Sequence, residues 1–302
     1  MNILEEIEIK RKTIYEILKN PQAKKVLDDW LLSELAYTSN HIEGNSLTRK
    51  ETADVITQGI TSGSKKPIKD YQEAINHAKA FNIILELAKN KKDISENDIL
   101  GIHREILKNI YDDFAGCYRN VRVRISGSPV ILPNPLKVPV LMKELIAFIN
   151  TKKIAPVQKA METHFRFVSI HPFVDGNGRT ARLLLNLILL KNGHYPIIIR
   201  PRDRRIYLSN IEKGQLTADL SAYNEFMYQT LNNSYQTYID MFNNDINLEN
   251  KNLLTISKFA KAANVPVSTV RYYLRAEKLK PVTKTESDYM LFSLEQVNIF
   301  KK

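Results

Sequence analysis

The residues best suited to chemistry lie together in HPFVDGNGRTAR, residues 171–182. Pro172 cannot continue a helix, so His171 stands at a helix end. The glycines of Asp175-Gly176-Asn177-Gly178 let the backbone approach a ligand closely. A helix opening near Arg179 would turn unpaired N–H groups and its dipole toward an anion. Arg179 and Arg182, three apart, lie on neighbouring positions of the first turn and can grip phosphate oxygens. Asp175 is a hard oxygen ligand suited to Mg²⁺ carried with phosphates. His171 titrates near neutrality and can serve as a base. Taken singly, a DGNG turn is a common loop and a His-Pro pair is a helix stop. Together, the twelve residues fill every role of a phosphate-handling site.

Most of the chain that must position these groups reads at helical period. Apolar stripes run through 3–19, 22–38 and 70–90, the last with Ala74, Ile75, Ala78, Phe81, Leu85 and Ala88 on one face. Ser95 ahead of Glu96 and Asp98 predicts a capped helix to about Leu107. Further helices fit 137–151, 156–170, 178–191, 202–213 and 217–240. RNVRVRISGSPVIL, residues 119–132, breaks the pattern. There Val121, Val123 and Ile125 alternate with Arg122 and Arg124 before a turn, which predicts a strand–turn–strand hairpin against the helical body. As a plain edge hairpin, its arginines would guard the edge. The polar, aperiodic stretch 243–252 predicts a linker. His164 and His171 lie seven apart with no third ligand at suitable spacing, so a metal pair is the weaker reading.

The 302 residues set a prior of two domains. Hydrophobic residues at 43% and charged residues at 25% exclude a collagen-like or wholly disordered chain. No apolar run reaches the ~18–20 residues that span a bilayer. Acidic residues in MNILEEIEIKRK argue against a secretion signal. Cys117, the single cysteine, allows no internal disulfide and fits a reducing compartment, the cytoplasm. Net charge is +11, unevenly spread: residues 251–302 hold 10 basic and 4 acidic side chains. A basic module of this kind suits an anionic partner, with nucleic acid first among them.

HPFVDGNGRTAR resembles the signature of the Fic family, HxFx[DE]GNGRxxR, at every fixed position, and most of residues 95–230 looks Fic-like. The resemblance implies a mainly α fold: a Fic-type helical core with a small β-hairpin flap. It implies transfer of AMP from ATP to a Ser, Thr or Tyr hydroxyl of a target protein or of the chain itself. By the same resemblance His171 is the base, Asp175 binds Mg²⁺, and Gly176, Asn177 and Gly178 form the anion hole. Arg179 would contact phosphate and Arg182 the γ-phosphate. Tyr207 is a candidate to line the nucleotide-base pocket, whose other residues are not legible, so transfer of UMP or phosphate stays open. In the family the flap docks the target segment by main-chain pairing, a role that would fall to Val121, Arg122, Val123, Arg124 and Ile125.

Upstream, Ser39 and Glu43 are four apart and share a helical face, with Gly44 able to end the helix. Bare, this is a capped surface helix. Beside a Fic signature it resembles the inhibitory motif [ST]xxxE[GN], in which the glutamate pairs with the second motif arginine, here Arg182. The chain would then be self-restrained, and in some relatives the same glutamate supports AMP removal.

Residues 255–276 have helix-turn-helix spacing, with Ser268 a plausible N-cap and Ser268, Thr269, Arg271, Tyr272 and Arg275 facing outward for groove and phosphate contacts. KLKPVTKTESDYMLFS would follow as a wing. The run resembles the DNA-binding module of MerR-type regulators, although Ser287-Asp288 stands where those have a wing glycine, and their long dimerising helix is missing. A winged helix used for protein contact is the other reading. The expected organisation is an N-terminal helical region (1–94), a catalytic core (95–242), a linker (243–252) and a winged helix-turn-helix (253–302). The expected partners are a protein with an exposed hydroxyl, DNA through residues 253–302 and a second copy of the chain, with no membrane. The competing function is a DNA-binding regulator whose core senses nucleotide or modifies only itself.

Overall fold

The computed structural model describes residues 2–59, 61, 65–90, 92–250, 253–284 and 290–300. Ten helices make up most of its first 250 residues: α1 (Ile3–Ile17), α2 (Pro21–Ile42), α3 (Arg49–Gln58), α4 (Ile68–Lys89), α5 (Glu96–Leu107), α6 (Val138–Asn150), α7 (Pro156–Ile170), α8 (Asn177–Lys191), α9 (Arg204–Thr217) and α10 (Ser221–Asn250). Capping side chains set several starts. Ser95 accepts from Asp98 N–H and Asp98 reaches back to Ser95, the reciprocal box its sequence predicts. Thr48 and Glu51 do the same for α3, a helix the apolar stripes do not announce.

α8 is the central element. Leu183, Leu184, Leu185, Leu187, Ile188 and Leu189 are all buried, and Arg179, Arg182 and Asn186 of the same helix are buried with them, so α8 is enclosed on all sides. It packs against α7, α4, α5 and α2. Removing one of these side chains to Ala costs about 3 kcal/mol or more. The site therefore stands on a helix enclosed by four others.

Two expectations are corrected. Residues 119–132 contain no strand: the chain turns at Ile125–Ser128, where Ser128 N–H donates to Ile125 O at 3.2 Å, with Gly127 in the left-handed region. The two arms do not pair with each other. Instead they line a common cavity of about 610 Å³ with Arg119 at its base. Exposure alternates only from Arg122 to Ile125, with Val123 and Ile125 half-buried and Arg122 and Arg124 exposed, while Val121 is exposed against expectation. The second correction concerns 243–252, whose backbone is helical over 243–250 as the end of α10.

The chain divides into two compact units, Met1–Tyr235 and Gln236–Lys302, with the division inside α10. Beyond α10, the second unit contains β1 (Leu253–Thr255), α11 (Ile256–Ala262), α12 (Val267–Arg275), β2 (Thr283–Lys284) and β3 (Met290–Ser293). The strands form one antiparallel sheet in the order β1-β3-β2. Phe259, Ala260, Val270, Leu279, Phe292 and Val297 form its core. The β2–β3 pair is the expected wing, and Ser287-Asp288 lies outside the described residues. α12 begins two residues earlier than expected, with Pro266 at the N-cap and Ser268 inside the first turn. Among the described residues, no helix is long and apolar enough to cross a membrane.

Candidate active site

The turn between α7 and α8 carries the site. His171 caps α7 in the left-handed region at φ of 51°, its N–H bonded to Phe167 O as in a left-handed helix C-cap. Its Nδ1 lies 3.3 Å from Val168 O. A carbonyl only accepts, so Nδ1 carries the proton and Nε2 keeps its lone pair. Burial pushes the imidazole pKa below its ordinary value, with the Val168 carbonyl opposing in part. His171 is therefore neutral at pH 7. Asn177 braces the turn: its side chain accepts from Phe173 N–H and donates to Phe173 O, both at 2.9 Å. What Asn177 offers an anion is thus its main-chain N–H. Gly176 precedes α8 in the left-handed region and no side chain caps that helix. The first N–H groups of α8 are open to a ligand.

Each arginine of the motif meets a carboxylate. Arg182, 6% exposed, donates from Nε to Ser39 Oγ at 2.9 Å and from Nη2 to Ser39 O at 2.9 Å and Glu43 Oε1 at 2.7 Å. Burial disfavours its charge, but Glu43 and the Tyr207 hydroxyl outweigh that, and the net shift is upward. Ser39 lies in the last turn of α2, Glu43 is its C-cap, and Gly44 follows at φ of 98°. Arg179 donates from Nη1 to Glu73 Oε1 at 2.9 Å and from Nη2 to Asp175 Oδ1 at 3.4 Å. Sequence reading pointed Arg179 at phosphate alone and overlooked Glu73, which looks there like any acidic residue of α4.

Behind the arginines is an ordered buried chain. Tyr223 donates to Met161 O, so His164 Nδ1–H donates to Tyr223 at 2.8 Å, and His164 Nε2 accepts from Tyr207 at 2.7 Å. Burial lowers His164 to about 3, so it is neutral and committed to these tyrosines, not to a metal with His171. Tyr207, expected beside a nucleotide base, is itself buried and lies against Arg182.

Two further residues were not singled out by sequence. His103 accepts Gly116 N–H on Nδ1 at 2.9 Å, so its Nε2–H donates to Asp175 O at 3.0 Å. Its ring stacks on Phe173 with centroids 3.5 Å apart. Burial lowers its pKa to about 4. Arg119 donates to His171 O, Val121 O and Pro133 O, tying both arms of the 119–132 loop to the α7–α8 turn. A buried cation held by carbonyls at the end of α7 also meets the negative end of that helix.

Among the described residues, no group of three or more His, Cys, Asp or Glu side chains converges to hold a metal unaided. One half-exposed carboxylate, Asp175, beside an uncapped helix start fits a Mg²⁺ that arrives with nucleotide phosphates, not an all-protein cage. In the second unit, α12 exposes Ser268, Arg271, Tyr272 and Arg275, while Thr269 is half-buried.

Residues 93–189 match the model of the Fic/DOC family, and residues 255–292 match that of the MerR family regulatory proteins. The protein adenylyltransferase fic-1 of Caenorhabditis elegans is 33% identical over 209 residues, 67% of this chain and 40% of that protein. The protein adenylyltransferase Fic of Aedes aegypti is 30% identical over 212 residues, 69% of this chain and 42% of that protein. The chain thus spans about two fifths of the length of these curated relatives. A Fic domain-containing signaling protein from Bacteroides thetaiotaomicron superposes with a TM-score of 0.72 at 28% identity, covering 79% of this chain and 97% of that one. The solved C. elegans Fic-1 fragment gives a TM-score of 0.70 at 29% identity, covering 78% and 70%.

Proposed function

Taking residues 93–189 as a Fic domain, we propose that this chain is a protein adenylyltransferase restrained by its own Glu43. The observation that carries the chemistry is the turn itself: a neutral imidazole with a free Nε2 next to an uncapped helix start and two buried arginines. His171 Nε2 takes the proton from a target Ser, Thr or Tyr hydroxyl. The hydroxyl oxygen bonds to the α-phosphorus of ATP as the bond to pyrophosphate breaks. Main-chain N–H groups of α8 hold the phosphates, and Arg179 and Arg182 offset their charge. Asp175 would hold Mg²⁺, which supplies further neutralisation of the departing pyrophosphate. Tyr207 and Ser39 keep the Arg182 fork oriented. The 119–132 loop, anchored through Arg119, is the target-docking segment, with Val121 to Ile125 as its edge.

The restraint follows from competition for one guanidinium. While Glu43 holds Arg182, a γ-phosphate lacks that partner. Incubation with α-³²P-ATP and Mg²⁺ tests this on wild type, Glu43→Gly, and Glu43→Gly with His171→Ala. Strong labelling of the protein or of lysate proteins by Glu43→Gly alone is expected. No labelling from any of the three would sink AMP transfer, and labelled UTP would come next. A second activity, DNA binding by residues 253–302, draws support from the MerR match and the basic outer face of α12.

A further inference from the structure

We infer that Glu73 is a positioning residue for the nucleotide: it holds the Arg179 guanidinium in place for the triphosphate. The inference rests on the reading of this site as an ATP site. Arg179 is 3% exposed, so its charge needs a counter-charge whether or not an anion is bound. It has two acidic partners of unequal quality. Asp175 is distant, at 3.4 Å, and its side chain is 44% exposed. Glu73 is close, at 2.9 Å, and its side chain is 9% exposed.

Glu73 is itself fixed from the other side. Its Oε2 accepts from Asn45 Nδ2 at 2.9 Å, and its main-chain carbonyl accepts from Asn40 Nδ2 at 3.1 Å. With one oxygen on Asn45 and the other on Arg179, the carboxylate cannot follow a ligand. When Asp175 turns to a nucleotide-borne cation, Glu73 is the acid left to aim Arg179. The arrangement also separates two functions within residues 39–45. Glu43 makes the half-exposed contact to Arg182, which ATP must displace. Asn40 and Asn45, on either side of it, attach the same segment to Glu73 by buried hydrogen bonds that ATP does not contest. Glu43 can thus leave Arg182 while its segment stays seated and Arg179 stays aimed.

The test compares ATP dissociation constants by calorimetry, and KM and kcat by label transfer, in the Glu43→Gly parent and its Glu73→Gln and Glu73→Asp derivatives. Positioning predicts that both substitutions weaken ATP binding about tenfold, the scale of one charge-assisted hydrogen bond, with kcat changed much less. Gln keeps the shape without the charge, and Asp keeps the charge without the reach. If Glu73 only set the local charge, Gln would tighten ATP and Asp would leave it unchanged, which overturns the inference. A fall in melting temperature with ATP affinity unchanged in both variants would overturn it as well. Should Glu73→Gln fail to fold, Asn45→Ala in the same parent removes the Oε2 anchor. A weakening of ATP binding is then expected, and unaltered affinity contradicts the inference. A parent that binds no ATP at all would instead sink the reading of the site.

Discussion

The Glu43 carboxylate fills the space that a side chain on Gly178 would occupy: a Cβ built at 178 collides with Glu43 Oε1 and lies 3.1 Å from Arg182 Nη1. Under the proposed restraint, Glu43 would oppose a phosphate in two ways, by pairing with Arg182 and by standing over the start of α8. The two contributions separate by substitution. Glu43→Gln keeps the bulk and loses the charge, so its labelling rate should fall between wild type and Glu43→Gly. Equal rates for Gln and Gly would show that the ion pair alone restrains the enzyme. A Gln variant as silent as wild type would show that bulk is sufficient.

The acid limb of the pH profile follows from His171. Burial lowers its pKa, and a base works only when deprotonated. Label transfer by Glu43→Gly should rise with an apparent pKa below 6.5 and be level by about pH 7. Initial rates measured across pH 5 to 8.5 decide this. A rate still climbing between pH 7 and 8 would contradict the half-buried, neutral imidazole.

Stability should fall in mild acid for a separate reason. Burial holds His77 and His164 at about 3 and His103 at about 4. In the unfolded chain each takes up a proton near pH 6.5, while in the folded chain each does not. Lowering the pH from 7 to 5 therefore favours unfolding, by about 2 kcal/mol per imidazole. His77, a buried imidazole near Arg179 and Arg182 whose Nδ1 has no hydrogen-bond partner, tests this through stability alone. In His77→Leu the gap between melting temperatures at pH 7.5 and pH 5 should narrow. An unchanged gap would remove His77 from the explanation.

What was legible in the sequence was whatever is local along the chain. The 171–182 motif, the Ser95 cap and the α8 apolar run declare themselves within a few residues, since turns and caps are made by neighbours. The Ser39–Glu43 spacing was legible for the same reason. Glu73, Arg119 and His103 were not, because each acts across long sequence separations: Glu73 on Arg179, Arg119 on His171 and Pro133, His103 on Gly116 and Asp175. The 119–132 loop shows the limit of periodicity. Its alternation holds in exposure only from Arg122 to Ile125, Arg119 takes the Val121 and Pro133 carbonyls, and the arms stand apart around a cavity without forming a ladder.

The outer face of α12 leads to the last prediction. Arg271 and Arg275 are four apart and exposed, with Tyr272 61% exposed beside them. On a helix, residues four apart point the same way, so both guanidiniums can reach one phosphate backbone. If α12 lies against duplex DNA, each arginine on a phosphate releases counterions, and affinity falls linearly with the logarithm of salt. Full-length chain and its Arg271→Ala, Arg275→Ala double variant should be compared by fluorescence anisotropy on a labelled duplex at several salt concentrations. The double variant should bind more weakly, and its log–log salt slope should be shallower by about two, close to one per arginine. His171→Ala should leave both quantities unchanged. A slope unaffected by the arginines would assign this face to a protein partner, and the second unit would then serve target choice instead of DNA.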